Sequence, residues 1–100
     1  MTETIEEFKK LGWEVKNKSP IYNFVVLHKE AGEITDCYRH VDVLVFKSEK
    51  NSLYFIEVFP EIWKNGKLLV VDYNSEKLIE ENMLKSSLLK INDEFFRETA

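Results

Sequence analysis

Cysteine, glycine and proline are scarce in this chain of 100 residues, which contains one cysteine, three glycines and two prolines. The single cysteine, Cys37, cannot form an internal disulfide, and it cannot complete a zinc site of paired Cys and His ligands. No Gly-x-Gly or Walker-type motif occurs, so a phosphate-binding loop is excluded. The low glycine and proline content also excludes collagen-like and low-complexity structure.

Long hydrophobic runs are missing as well, since no uninterrupted apolar stretch exceeds four residues. A helix that spans a membrane needs about 20 such residues. The N-terminal residues MTETIEEFKK lack the basic and then apolar pattern of a secretory signal. We therefore expect a cytoplasmic protein that has no membrane-spanning segment.

Positive charge is limited, because the net charge is −4 and only Arg39 and Arg97 are arginines. Nucleic-acid binding relies on clustered cations and favours arginine for bidentate contacts, so we do not expect a nucleic-acid partner. The chain is rich in Lys, Glu, Asn, Ile and Phe and poor in Ala, which is typical of AT-rich coding sequences. This composition indicates a low-GC bacterium, or its phage or mobile element, as the source.

Hydrophobic residues make up 44% of the chain and aromatic residues 13%, which is enough for one folded domain over residues 1–100. A short helix is predicted over 3–11, with Thr4 as its capping residue and Gly12 as its left-handed stop. A long helix is predicted from a cap at Asn74-Ser75 to about residue 97. Its apolar residues, from Ile79 onward, recur at spacings of three and four.

Between the two helices, period-two alternation and turn residues predict about five strands. Asn65-Gly66 is typical of a type I′ hairpin turn, and Pro60 should limit the pairing of the strand that precedes it. The predicted strands are 13–17, 21–28, 36–47, 53–59 and the hairpin around Asn65-Gly66. Because short turns favour antiparallel neighbours, the sequence predicts an α+β fold: an antiparallel meander of about five strands with both helices packed on one face.

Cys37, His28 and His40 are the only soft metal ligands in the sequence. Residues three apart in a strand point to opposite faces, so Cys37 and His40 cannot share a metal ion or form a nucleophile–base pair. A hairpin turn centred on Ala31-Gly32 would place His40 opposite Asn23 rather than opposite His28. We therefore expect a half-buried thiol, two imidazoles that face the sheet edge, and no metal site.

Asp42 and Glu57 lie on successive predicted strands, in the segments RHVDVLVF (39–46) and LYFIEVFPE (53–61). The stretch 38–61 resembles the core hairpin of PD-(D/E)xK restriction-endonuclease-like nucleases, with Phe59 in the place of the motif lysine. The resemblance implies a Mg²⁺ site at Asp42 and Glu57, in a metal-dependent or degenerate nuclease. A two- or four-residue turn within 48–51 would place the two carboxylates directly opposite each other. An odd-length turn would pair Asp42 with Ile56 or Val58 and exclude the site.

Aromatic residues are too numerous for one sheet face to bury, and Leu44 and Phe46 point away from the valines of their own strand. The candidate contacts on that second face are Tyr38, Leu44, Phe46, Phe55, Phe59 and Trp63. Exposed aromatic sheet surfaces are typical of protein interfaces. The sequence therefore favours a small, non-enzymatic protein-interaction domain without a cofactor, an accessory or inhibitory protein that binds another protein or a second copy of itself. The nuclease-like domain is the alternative.

Overall fold

Antiparallel strands form a single sheet in the computed structural model, which describes residues 2–19, 24–31, 37–69 and 76–96. The elements are α1 (Thr2–Lys10), β1 (Glu14–Ser19), β2 (Phe24–Ala31), β3 (Cys37–Lys47), β4 (Tyr54–Lys64), β5 (Lys67–Leu69), β6 (Glu76–Ile79) and α2 (Glu81–Phe96). The sheet order is β1-β2-β3-β4-β5, and β6 pairs with β4. The predicted α+β fold is confirmed.

The hydrophobic core lies between this sheet and the two helices. On β3, Val41, Val43 and Val45 point toward the helices and are at most 1% exposed. Phe8 of α1 and Leu88 of α2 belong to the same buried cluster. Both helices therefore cover one face of the sheet, and the burial of apolar surface on this face is the main source of stability.

Polar contacts at the rim of the core hold the helices in place on the sheet. The Trp13 indole donates a hydrogen bond to the side chain of Asn92 in α2, at 3.0 Å. The guanidinium of Arg39 on β3 donates to the carbonyl oxygen of Phe95 at 2.7 Å. This contact gives a donor to a carbonyl in the last turn of α2, where helix carbonyls need partners from outside the helix.

Two turns form as the sequence predicts. Gly12 ends α1 with a φ of 97°, and the amide of Trp13 bonds back to the carbonyl of Phe8 at 3.0 Å. Asn65 and Gly66 have φ values of 53° and 75°, and Lys64 pairs with Lys67 across them. Positive φ at both central positions is the requirement of the type I′ turn, which confirms the hairpin.

The predicted N-terminal starts of both helices are wrong. Helix α1 begins at Thr2, so Thr4 lies within the helix and does not cap it. Residues 76–79 form strand β6, which pairs Ile79 with Tyr54, and α2 begins only at Glu81. The edge of β4 offers unpaired backbone groups there, and pairing with them also buries Ile79, which a helical turn over the same residues would not achieve. Asn74, Ser75 and residue 97 lie outside the described residues.

Strand β4 is longer than predicted and continues through Pro60 to Lys64. Pro60 pairs with Val41 of β3. On the other side of β4, β6 pairs near Tyr54 and β5 pairs from Ile62, and no described strand pairs with β4 between them. A proline is tolerated at such a gap because a missing N–H costs little where one side of the strand is unpaired. Strand β2 starts at Phe24, and the predicted start over 21–23 lies outside the described residues.

Within the described residues, neither helix has both the length and the apolar character that crossing a membrane requires.

Substitution of Leu88 tests the packing of α2. Leu88→Ala should lower the free energy of unfolding by about 2–5 kcal/mol, because it empties a buried site. Met83→Ala, on the same helix but 53% exposed, should change it by about 0.5 kcal/mol or less. Urea unfolding followed by circular dichroism measures both variants, and similar losses in the two would contradict the packing described above.

Tyr54 should make the fold sensitive to alkaline pH. Burial raises the pKa of its hydroxyl above the ordinary value of 10.0, and the neighbouring Glu81 carboxylate raises it further. The unfolded chain therefore ionises more readily, so stability is complete below pH 10.0 and falls as the pH rises above it. In urea unfolding at about pH 9 and about pH 11, the midpoint of Tyr54→Phe should fall less than that of the wild type. An equal fall in both proteins would rule out this role of Tyr54.

Candidate functional site

The sheet face that no described helix covers, here called the open face, presents the side chains that alternate away from the core. It is formed by Glu14 of β1; Phe24, Val26, His28 and Glu30 of β2; Tyr38, His40, Asp42, Leu44 and Phe46 of β3; Phe55, Glu57, Phe59, Glu61 and Trp63 of β4; and Leu68 of β5. Polar residues of β2 and β3 occupy the middle of this face, with Phe59 of β4 beside them, and most of the other aromatic and aliphatic residues lie toward its two ends.

His28 is the centre of the polar group. It lies directly opposite Asp42 on the neighbouring strand and is only 3% exposed. Its Nδ1 atom is 2.7 Å from Asp42 Oδ1, and its Nε2 atom is 2.8 Å from Glu30 Oε1. A carboxylate oxygen only accepts hydrogen bonds, so the ring nitrogen is the donor in such a contact, and the tautomer sets which nitrogen carries the proton. The buried ring is thus held on both sides by negative charge.

His40 joins the same group from the next rung of the sheet. It lies opposite Glu30 on one side and Glu61 on the other. Its Nε2 atom is 3.0 Å from His28 Nδ1 and 3.7 Å from Asp42 Oδ2, while its Nδ1 atom is 3.3 Å from Glu61 Oε2. The two imidazole rings meet edge to face, with centroids 4.4 Å apart. In each histidine, one ring nitrogen therefore contacts a glutamate carboxylate, and the other ring nitrogen faces the Asp42 carboxylate.

Glu30 is a carboxyl of the group whose pKa its neighbours lower. The hydrogen bond from the His28 ring, and then that from the Tyr38 hydroxyl, lower the pKa of Glu30 below its ordinary value of 4.5. The same hydrogen bond to Glu30 raises the pKa of Tyr38 above 10.0. Glu30 is thus held as an anion beside His28, and it fixes the orientation of the imidazole.

The cluster of His28, His40 and Asp42 can either share protons or bind a cation. Among the described residues, these three form the one group of His, Cys, Asp or Glu side chains that is close enough to hold a metal ion. Glu57 is not a member of that group.

Asp42 and Glu57 do not lie opposite each other, which is the arrangement that an even-length turn within 48–51 would have given. Asp42 lies opposite Phe59, and Glu57 lies opposite Leu44, although both carboxylates share the open face. The connection between β3 and β4 runs from Ser48 to Leu53 rather than through the shorter turn predicted within 48–51. Ser52 takes a φ of 57° in this loop, and the Ser48 amide bonds to the Leu53 carbonyl at 2.8 Å. The longer loop shifts the pairing by two residues but leaves both side chains on their predicted face.

The pairing of His40 with Asn23, which a turn centred on Ala31-Gly32 predicts, is wrong. Ala31, which was predicted to lie in the turn, instead belongs to β2 and pairs with Arg39 of β3. With this register, His40 lies opposite Glu30 instead of Asn23. This register puts all even-numbered residues of β2 and β3 on one face. Equal parity of His28, His40 and Asp42 is the signal in the sequence that could have found the cluster. The side chain of Cys37 lies outside the described part of the chain.

All six predicted interface residues lie on the open face: Tyr38, Leu44, Phe46, Phe55, Phe59 and Trp63. Phe46, Phe59 and Trp63 are 37%, 53% and 37% exposed. Leu44, Phe46 and Phe55, together with Glu57, line a shallow apolar depression at one end of the face. The alternation within β3 and β4 was therefore sufficient to place these residues.

Comparison of the chain with protein-family models, with curated proteins and with solved structures finds no match in any of the three. The nuclease resemblance of residues 38–61 stays a hypothesis, and function has to be argued from the residues of the open face.

A double-mutant cycle on His28 and Asp42 tests the hydrogen bond at the centre of the cluster. With His28→Ala and Asp42→Asn, the coupling in unfolding free energy should be about 1 kcal/mol, because the contact is short and His28 is buried. The coupling between His28 and Glu30 should be smaller, because the Glu30 side chain is 52% exposed and water screens the pair. Urea unfolding in EDTA at neutral pH measures both cycles, and the reverse order would show that Asp42 does not hold the buried ring.

Proposed function

We propose that this chain is a non-enzymatic protein-interaction domain that binds another protein through the open face. The exposed apolar side chains of that face support the proposal. Seven large hydrophobic residues of the described chain are exposed, and four of them, Phe46, Phe59, Trp63 and Leu68, belong to the open face. Clustered exposure of this kind marks interaction surfaces, whereas single exposed hydrophobics need no explanation.

The charge of the open face favours a partner that differs from this chain. Glu14, Glu30, Asp42, Glu57 and Glu61 place five carboxylates on it, and His28 and His40 are among its bases. A symmetric pair of copies would bring the same surface patch together on both sides, so that acidic groups would approach acidic groups. A partner with Lys or Arg between apolar side chains would pair with the carboxylates and cover the aromatic rings. Such a partner suits an accessory or inhibitory protein.

The alternative, a nuclease or degenerate nuclease that uses Asp42 and Glu57, has less support. Its two carboxylates do not lie opposite each other, and Asp42 is already engaged by His28 at 2.7 Å. Phe59, in the place of the motif lysine, supplies no positive charge for a phosphoryl group.

A synthetic peptide that alternates Lys and Leu tests the proposed surface. In NMR titrations, the peptide should shift the amide signals of β3 and β4, and Phe59→Ser or Trp63→Ser should weaken its binding by about fivefold or more. Met83→Ser is the matched control, because Met83 has the same 53% exposure as Phe59 but lies on α2. It should leave the affinity within about twofold.

The charge argument has its own controls. A peptide that alternates Glu and Leu should bind more weakly than the Lys and Leu peptide, and added salt should weaken binding of the latter. Equal binding of both peptides, or signals that shift on α2 instead, would overturn the proposal. Sedimentation that shows a dimer of the wild type, lost in Phe59→Ser, would identify a second copy of the chain as the occupant instead.

A further inference from the structure

The atoms that meet at the centre of the open face have the spacing of ligands around one metal ion. His28 Nδ1 is 2.7 Å from Asp42 Oδ1 and 3.0 Å from His40 Nε2, and His40 Nε2 is 3.7 Å from Asp42 Oδ2. Ligand atoms bound to zinc at about 2.0–2.1 Å lie about 3.3 Å from one another in a tetrahedron, or about 2.9 Å in an octahedron. The distances of His28 Nδ1 from Asp42 Oδ1 and from His40 Nε2 lie close to the octahedral value, and the 3.7 Å distance joins His40 Nε2 to the other oxygen of the same carboxylate.

One proton cannot be shared fully between the two inner nitrogens and the Asp42 carboxylate. A proton on His28 Nδ1 can point at Asp42 or at His40, but not fully at both. When His40 Nδ1 donates to Glu61, its Nε2 carries a lone pair, which is directed into the same space as the Asp42 carboxylate. A cation between the three atoms would contact both nitrogen lone pairs and the carboxylate at once.

The outer nitrogens of both rings carry the contacts that metal-binding histidines usually have. A ligating histidine almost always donates its other N–H to a carboxylate, a carbonyl or water, which fixes the tautomer and makes the ligand more basic. Here His28 Nε2 faces Glu30 at 2.8 Å, and His40 Nδ1 faces Glu61 at 3.3 Å. These outer contacts are independent evidence for a metal site, because they do not depend on the spacing of the atoms that would bind the ion.

We infer that His28, His40 and Asp42 bind a divalent first-row transition metal ion of the Zn²⁺ class, with Glu30 and Glu61 as the residues that orient the two imidazoles. Imidazole nitrogen suits Zn²⁺, Fe²⁺, Ni²⁺ and Cu²⁺, whereas Mg²⁺ prefers oxygen ligands throughout. Two histidines and one carboxylate leave further coordination positions on the ion. This site lies beyond the proposed protein interaction and does not depend on it.

Isothermal titration calorimetry of the EDTA-treated full chain with ZnCl₂ tests the site. The wild type should bind one Zn²⁺ ion, and its thermal unfolding temperature should rise with Zn²⁺ concentration. His40→Ala and Asp42→Asn should each weaken binding by about 100-fold or more, whereas Glu30→Gln and Glu61→Gln should weaken it by about 10-fold. MgCl₂ should give no comparable binding. If His28→Ala fails to fold, the variants of the more exposed His40 and Asp42 decide the outcome.

Two control variants separate this site from the other candidate ligands. Glu57→Gln removes a carboxylate of the same face, and Cys37→Ser removes the only thiol; both should keep the Zn²⁺ affinity within about twofold. Trp63→Ser should also keep it, so that a failure of the metal site and a failure of the proposed interaction are distinguishable. The inference is overturned if the wild type does not bind Zn²⁺, if Asp42→Asn binds as tightly as the wild type, or if the loss follows Cys37 or Glu57 instead.

Discussion

The pairing register of β3 with β2 and β4 is the constraint on which both faces of this sheet depend. Val41, Val43 and Val45 are at most 1% exposed on one side, while the alternate residues of β3 form the open face. A slip by one residue would exchange the two sets and expose all three valines to water. Since burial of each such side chain contributes about 1.5–3 kcal/mol, the core fixes the register to which the open face must conform.

Once the register is fixed, the polar cluster follows from it. His28 falls opposite Asp42, and Glu30 falls opposite His40, so acids and imidazoles alternate across adjacent rungs. Burial of an imidazole beneath an otherwise exposed face is unfavourable unless both nitrogens have partners. His28 has Asp42 and Glu30 as partners, and no buried side-chain nitrogen or oxygen of the described residues lacks a hydrogen bond. The cluster therefore combines a satisfied polar centre with a geometry in which a cation could replace a proton.

The exposed apolar side chains of the open face lie on the same strands as the polar cluster. Phe59 and Trp63 add nothing to the core beneath the helices, and the Asp42 rung carries Phe59 directly beside the charged cluster. Exposed aromatic rings beside carboxylates offer a partner both apolar area and charge, which is the combination that protein interfaces use. The interaction surface and the candidate metal centre thus share strands and the carboxylates of Glu30, Asp42 and Glu61, while the exposed aromatic rings belong to the interaction surface alone.

Local patterns in the sequence determined the α+β class, the turns at Gly12 and Asn65-Gly66, and the face to which each residue of β3 and β4 belongs. Each of these depends on neighbouring residues only: on alternation within one strand or on a φ that glycine and asparagine adopt easily. Tertiary structure alone decided that Asp42 meets His28 and not Glu57, and that Ile79 joins a strand before α2 begins. Both outcomes depend on loop conformation and on pairing between distant segments, because a period of two specifies a face but leaves open which residue lies across from it.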